Sequence, residues 1–500
     1  MKKNKKNRIV IIVNNQMLRP VEPLLASYIR QDLKAEVIFL TKTKEDREYY
    51  KDQYKDFFSH IICNENNVDA ADILNLKEIE NIEEKAIKIE KKYNISLYRM
   101  FITNRVIGRG FFASGGHRHP KNRRHQLSNN KKILNLAVNE INFWEKLFLE
   151  GNLLFAINLP PHAHLLALKN NIKSLRFFEG RFKDYYAWFS NTGISPIVTK
   201  GDLQRISSRG LKRVTINKPY TAARIARLKD IKSLKLFYAF KSSAYKILQY
   251  IYGKLRGYSR TNNSYFFDEV LYAIRYRKAY YDYKSFVSNN LEGLKEKKFI
   301  FFPLITEPEI AIHSVADDFF FQLSAINIIS RDLPADYILV VKEHLLALGR
   351  RPKDFYAQIN DLKNVVLVDP TDIGLEYVKK CNALACITGT AAWEAAVIGK
   401  PVISFSKNNS INILDHVFYV HDKGNLRPIF EKLENNSFSS KSSKIDGAKF
   451  YKAFEKKLFK IKGFDYSIPI FNTQTSINRT YQLYSKIIYK ELKKSIKRMR

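Results

Sequence analysis

One pattern limits the fold of this chain more than any other: between residues 298 and 435 a short apolar run, a polar tip and a stretch of helical spacing recur five times in succession. The runs are KFIFFPL (298–304), YILVVKEH (337–344), VVLVD (365–369), ALACIT (383–388) and PVISFS (401–406). β-Branched and aromatic runs of this length, each followed by a helical pattern, predict parallel strands covered by helices on both faces, a doubly wound α/β domain. The amino-terminal part reads the same way, with strands predicted over 8–15, 35–41, 59–63, 152–159 and 172–181 and a helix over 20–33. With 45% hydrophobic and 13% aromatic residues the chain has the means to fill two such cores, which excludes disorder, collagen and coiled coil as its main theme.

Open parallel sheets bind ligands outside the carboxyl ends of their strands, where helix amino termini present unpaired N–H groups. The residues following each run are therefore the candidates. TGT at 388–390 is the sharpest: Gly389 permits a tight turn, Thr390 stands where it would cap the next helix, and the N–H groups of Thr388, Gly389 and Thr390 could hold a phosphate. Glu394, one turn further, could accept ribose or sugar hydroxyls; an ordinary strand-to-helix turn would have the same sequence. His344 ends the second run beside Lys342 and could meet a nucleotide phosphate as a cation or as a donor, with Arg350 and Arg351 forking onto phosphate oxygens. Glu307 and Glu309 could bind sugar hydroxyls or act as a general base, and Glu179 and Asp184, after the run 172–181, are further candidates for the base. The glycine-rich segment RVIGRGFFASGGHRHP (105–120) offers Arg105, Arg109, His117 and His119, either as an anion-facing acceptor loop or as a basic surface loop.

Charge points to partners. Lys plus Arg number 85 against 49 Asp plus Glu, a formal charge of +36, and the excess is clustered at the amino terminus, over 205–260 and over 486–500. Within 205–260, Asp230 is the single acid against fifteen Lys or Arg. The stretch 222–256 has apolar residues at helical spacing, among them Leu234, Phe237, Tyr238 and Tyr245, which predicts an amphipathic helical insert; the tail from 477 is a basic helical pattern able to close back onto the first domain. These clusters suit an anionic lipid surface or, with their interleaved aromatics, nucleic acid, although no helix-turn-helix, RNP or zinc element accompanies them. Cys63, Cys381 and Cys386 encode neither a disulfide framework nor a zinc site and fit a reducing cytosol. No apolar run reaches the length of a spanning helix. There is no DxD, no HExxH and no His pair on one helical face, so neither a metal nor any other cofactor is expected.

LITEPE (304–309), VVKEH (340–344) followed by GRR (349–351), NVVLVDP (364–370) and ITGTAAWEAAVIGKPVISF (387–405) resemble, in order and spacing, the carboxy-terminal domain of the bacterial capsule polysaccharide biosynthesis family, GT-B transferases related to the capsule Kdo transferases. The resemblance covers about 298–406; Leu345, Ala392 and Glu307 stand where relatives commonly have Pro, Gly and Gln. It implies an α/β, GT-B-like fold with two Rossmann-like doubly wound domains facing a cleft, a basic helical insert and carboxy-terminal helices. The expected division is 1–200 for the acceptor domain, 201–290 for the insert, 291–435 for the donor domain and 436–500 for the tail. It also implies that His344 contacts the donor phosphate, that 388–390 form the phosphate turn and that Glu394 helps hold the donor. The expected activity is metal-independent transfer of a sugar from a CMP-, UDP- or GDP-linked donor to a growing surface polysaccharide or a lipid-linked acceptor. The expected location is the cytoplasm, at most peripheral on the inner face of the cytoplasmic membrane through the basic insert and tail. A non-catalytic protein of the same fold, binding nucleic acid or scaffolding capsule assembly, is the alternative.

Overall fold

The structure is a computed structural model that describes residues 8–64, 79–102, 129–182, 184–190, 196–216, 221–255, 266–307, 319, 321–352, 354–435, 440–466 and 479–499. The first sheet contains β1 (Arg8–Val13), β2 (Glu36–Thr41), β3 (His60–Cys63), β4 (Asn152–Ile157), β5 (Ser174–Glu179) and β6 (Tyr185–Phe189), and the late strand β13 (Phe459–Lys460) joins its edge. The second contains β7 (Lys298–Pro303), β8 (Tyr337–Lys342), β9 (Val365–Val368), β10 (Ala383–Cys386), β11 (Val402–Ser404) and β12 (Val417–Tyr419).

The spatial order is β13-β6-β5-β4-β1-β2-β3 in one sheet and β12-β11-β10-β7-β8-β9 in the other. Counted from its own first strand, each sheet therefore begins 3-2-1-4-5, the Rossmann order, and β1 to β5 and β7 to β12 pair in parallel. The winding reverses between β1 and β4 in the first domain and between β7 and β10 in the second. The protein thus has the expected class, two doubly wound α/β domains of GT-B-like plan with a helical insert and carboxy-terminal helices.

Strand alternation explains why each sheet needs two covering layers. Ile9 and Ile11 enter one core while Val10 and Ile12 enter the core on the other face, and Phe299 and Phe301 are separated from Ile300 and Phe302 in the same way. Both faces are buried, so the strands read as nearly continuous apolar runs, and each buried phenylalanine contributes about 2–3 kcal/mol. The predicted runs overshoot the strands by one or two residues at eight of ten carboxyl ends, because the polar tips turn out of the sheet. Two antiparallel additions were not expected, β6 beside β5 and the two-residue β13 beside β6.

The chain end ties the halves together. The helix Ser440–Glu455 lies so close to Thr390–Val397 that a side-chain carbon at Gly447 would sit 2.5 Å from the Val397 carbonyl oxygen. The chain then crosses to the first domain, where the helix Arg479–Arg498 receives a hydrogen bond from Trp188 Nε1 to the Ile488 carbonyl at 3.2 Å and Lys493 meets Asp32 at 2.8 Å.

The insert folds as helices Thr221–Ser233, Leu236–Leu255 and Phe266–Lys284. Of the apolar residues at helical spacing, Leu234 is buried, while Phe237, Tyr238 and Tyr245 face outward; the buried positions of the second helix are Ala239 and Ser243. Helical spacing located the helices of the insert, and the structure shows which side of the second one is buried.

Candidate functional site

The tips of β7 and β8 are held by a buried ionic network. Arg351 grips Glu343 with two bonds, Nε to Oε2 at 2.7 Å and Nη2 to Oε1 at 2.8 Å, and also donates to Glu307 Oε2 at 2.8 Å and to the Ile305 carbonyl at 2.8 Å. Tyr356 donates its hydroxyl to Glu343 at 2.8 Å. Glu307 further accepts the Gln322 backbone N–H at 2.8 Å, closing the start of the helix Gln322–Asp332, and the Gln322 side chain pairs both ways with the Ile305 backbone. Sequence reasoning offered Arg351 to a phosphate and Glu307 to a sugar; in the fold the guanidinium and the carboxylate hold each other. Burying such charges is tolerable only because every partner is in place.

This network sets the stage for its neighbour. His344 is exposed, its backbone N–H is held by Glu343 Oε1 at 2.5 Å, and its Nδ1 accepts the Leu346 N–H at 3.2 Å. An accepting Nδ1 places the ring proton on Nε2, which is left as a donor. Desolvation by the surrounding protein pushes the imidazole pKa down to about 4; Glu343 opposes the shift, and Lys342, Arg351 and Arg350 add to it. Of the two expected forms, the accepting Nδ1 and the downward shift both favour the neutral donor. Lys342 donates to the Pro370 carbonyl at 2.9 Å, and burial, reinforced by Arg227, lowers its pKa to about 8. Arg350 turns away from the edge and donates to the Tyr272 hydroxyl of the insert at 2.8 Å.

Two strands along the same edge, past β7, β10 leads into the TGT turn. Gly389 has φ 114° and ψ 174°, a conformation essentially restricted to glycine, and a side-chain carbon there would sit 3.2 Å from Ile305 Cδ1. It is Gly389 that occupies the capping position of the helix Thr390–Val397, with no side-chain cap, so Thr390 does not cap the helix as expected. Its hydroxyl instead accepts Arg181 Nη1 at 2.7 Å. Thr388 is 3% exposed, and its hydroxyl has no partner among the described residues; neither has Trp393 Nε1. Burial pushes the Glu394 carboxyl up to about 7, with the Arg181 charge pulling the other way. Gly389 touches Ile305, and Ile305 is bonded to Arg351, so the turn and His344 frame one continuous edge. Two strand spacings put them about 10 Å apart.

Arg181 comes from the first domain, just beyond β5. Phe182 beside it sets its ring 5.9 Å from that of Trp393 and 4.7 Å from that of Tyr451, so the carboxyl ends of β5 and β10 face each other. The two acids expected here have other work. Glu179 accepts the Tyr466 hydroxyl, while Asp184, at φ 67°, accepts the Gly463 N–H at 3.2 Å through its side chain and the Ile461 N–H at 2.8 Å through its carbonyl, anchoring the returning chain. Glu309, Arg105, Arg109, His117 and His119 lie outside the described residues.

Sequence reasoning missed a polar group at the reversal point of the first sheet. Asn14 follows β1, and Glu22, wholly buried, accepts Asn14 Nδ2 at 2.8 Å, the Asn15 N–H at 2.7 Å and the Tyr50 hydroxyl at 3.1 Å. Burial outweighs these bonds and raises the Glu22 pKa to about 7. Asn158 follows the neighbouring β4; its Nδ2 and Asn14 Oδ1 are buried without partners among the described residues. The pair Asn14–Asn15 directly after a strand, with an acid early in the next helix, was the available signal. Two open surface hollows of about 570 and 530 Å³ lie at the amino ends of the strands, around Arg8 and Glu36 and around Tyr337 and Pro401.

No family model matches the chain, and no curated protein matches it. Among solved structures, the UDP-GlcNAc 2-epimerase of Neisseria meningitidis bound to UDP-GlcNAc aligns over 97% of this chain and 100% of its own at 12% identity and a TM-score of 0.25. The KpsC beta Kdo 2,4 transferase of Thermosulfurimonas dismutans aligns over 59% and 79% at 10% identity and a TM-score of 0.29, and the glycotransferase of kitacinnamycin over 97% and 99% at 9% and 0.24. Overlays this loose carry no argument, and the fold assignment rests on the strand order.

Proposed function

We propose that this protein is a glycosyltransferase that moves a sugar from a nucleotide-sugar donor held by the second domain to a hydroxyl of a bacterial surface glycan, or its lipid-linked precursor, held by the first. The observation that carries the reading is the pairing, on one edge of a Rossmann-ordered sheet, of the Gly389 turn and its unpartnered Thr388 hydroxyl with the outward Nε2–H of His344.

In the transfer, the acceptor oxygen bonds to the anomeric carbon as the bond from that carbon to the phosphate oxygen breaks, and the nucleotide departs with the electron pair. The step requires fixed donors aimed at the developing phosphate charge. The N–H groups opening the helix Thr390–Val397 and the His344 Nε2–H supply them without reorganisation, and Lys342 and Arg181 add positive potential. The transfer on this reading proceeds without a metal. Asn14 and Asn158 offer unpaired amide atoms to acceptor hydroxyls. Of the acids expected as the base, Glu307 is held by Arg351, while Glu179 accepts the Tyr466 hydroxyl and Asp184 the Gly463 N–H.

The test is nucleotide release from CMP-, UDP- and GDP-sugars, with membrane glycolipid extracts as acceptor. The reading expects one nucleotide class to be released in an acceptor-dependent manner. Binding without turnover would favour the scaffold alternative, and absence of binding by every nucleotide would overturn the proposal.

A further inference from the structure

The outward-facing stripe of the insert has a definite composition. Of the 22 large apolar side chains exposed among the described residues, fourteen fall between Leu228 and Tyr281. Along the helix Leu236–Leu255 they recur at helical spacing, with Phe237 71%, Leu248 64% and Leu255 82% exposed on the side turned away from Ala239 and Ser243, and Phe240, 56% exposed, on its flank. That buried side meets the helix Phe266–Lys284: Ser243 donates to the Val270 carbonyl, and the rings of Tyr250 and Phe266 lie 4.5 Å apart, so the two helices run antiparallel. Phe267, 73% exposed, lies near the same end of this hairpin. Lys229 and Lys232 on the preceding helix, Lys235 in the connection and Lys241 among the stripe's own residues are exposed as well. No helix among the described residues is long and apolar enough to cross a membrane.

We infer that this hairpin lies in the plane of an anionic lipid bilayer, with the stripe from Phe237 to Leu255 sunk into the boundary between headgroups and acyl chains and these lysines on the phosphates. An exposed apolar helical face with lysines on it and on the adjoining helix is the pattern of helices that lie on a membrane rather than cross it. Charge favours this occupant over a second copy of the chain, because a symmetric contact would bring the same lysine-bearing face against itself. Chemistry favours it over nucleic acid, because Leu248, Ile251 and Leu255 offer a base neither a stacking plane nor a hydrogen bond. The surface is also fixed to the proposed donor site. Tyr272 receives Arg350, Tyr280 donates to Asp369 at 3.2 Å, and Arg227 reaches the Thr371 carbonyl, so the docked hairpin would hold the tips of β8 and β9 close to the lipid. This deepens the transferase reading by placing its acceptor on lipid, while the docking itself stands on the surface alone.

The experiment is flotation of the full chain with vesicles of pure phosphatidylcholine and with an equimolar mixture of phosphatidylcholine and phosphatidylglycerol, at low and high salt, with no nucleotide present. The wild type is expected to float with the mixed vesicles and to retain part of that binding at high salt. The double variant F240E/L248E, altered only at exposed positions, is expected to bind the mixed vesicles at least about tenfold more weakly with an unchanged melting temperature. Four results would overturn the inference: no flotation of the wild type, equal flotation of the variant, a lipid-free dimer that the variant abolishes, or binding to DNA tighter than to the mixed vesicles. Because the readout needs neither nucleotide nor turnover, its failure is separable from failure of the transferase reading.

Discussion

Two clusters on the same edge of the second sheet invite comparison. At the tips of β7 and β8, Glu307, Glu343, Arg351, Tyr356 and Gln322 satisfy one another; at the tip of β10, the Thr388 hydroxyl and Trp393 Nε1 are buried without partners and the Glu394 carboxyl is desolvated. Both clusters are polar, both follow apolar runs, and both read as candidate sites in the sequence. What separates them is saturation: a buried polar group that has its partner rigidifies the fold, and one that lacks it keeps its bonding capacity for a ligand. GRR shows the same divide at its smallest scale, since Arg351 turns inward to two carboxylates while Arg350 turns to the insert.

The sharpest way to break the comparison is Arg351→Ala, which strands Glu343 and Glu307 as unpaired buried acids. Destabilisation of about 3–5 kcal/mol is expected in chemical denaturation. A loss below about 1 kcal/mol would mean that the network is not structural.

Glu394 should report through pH. Its folded pKa of about 7 lies above the ordinary value of 4.5, so between those values the native state holds more protons than the unfolded state, and stability falls as pH rises through that window. The fall is at most about 3 kcal/mol, from the size of the shift. Glu394→Gln should remove this share and leave the share of Glu22, whose carboxyl is also pushed up to about 7. A variant whose profile from pH 4.5 to 7 matches that of the wild type would show that Glu394 is not desolvated.

His344→Ala should divide binding from stability. Nucleotide affinity measured by calorimetry is expected to fall roughly tenfold to a hundredfold, the worth of one hydrogen bond to a charged group. The melting temperature should barely move, because the residue is exposed. A large drop in melting temperature would move His344 into the structural cluster. The smallest effect belongs to Lys493→Ala, which removes an exposed pair with Asp32 and should cost less than about 1 kcal/mol.

Both sheets were legible in the sequence, because strands buried on two faces must be apolar along most of their length, and β1, β2, β4 and β7 to β11 carry that mark. β6 and β13 were not read, since an edge strand paired antiparallel needs no such run and β13 has only two residues. Strand tips were legible as polar places, but not by role: Arg351 meets Glu307 across 44 positions, and no local pattern announces such a bond. Thr390 was read as the cap because threonine usually serves there, whereas the unusual dihedrals of Gly389 move the cap one residue earlier. In the insert the spacing revealed helices, yet spacing alone does not say whether an apolar face meets protein or turns outward.

The central claim is that the phosphates of a nucleotide sit between the Gly389 turn and His344. A crystal structure with a bound nucleoside diphosphate tests it most directly. The account predicts phosphate oxygens within hydrogen-bond distance of the backbone N–H groups of 389–390 and of His344 Nε2, with the Thr388 hydroxyl partnered. Phosphates bound instead at the tips of the first sheet, or at the amino ends of the strands, would contradict it.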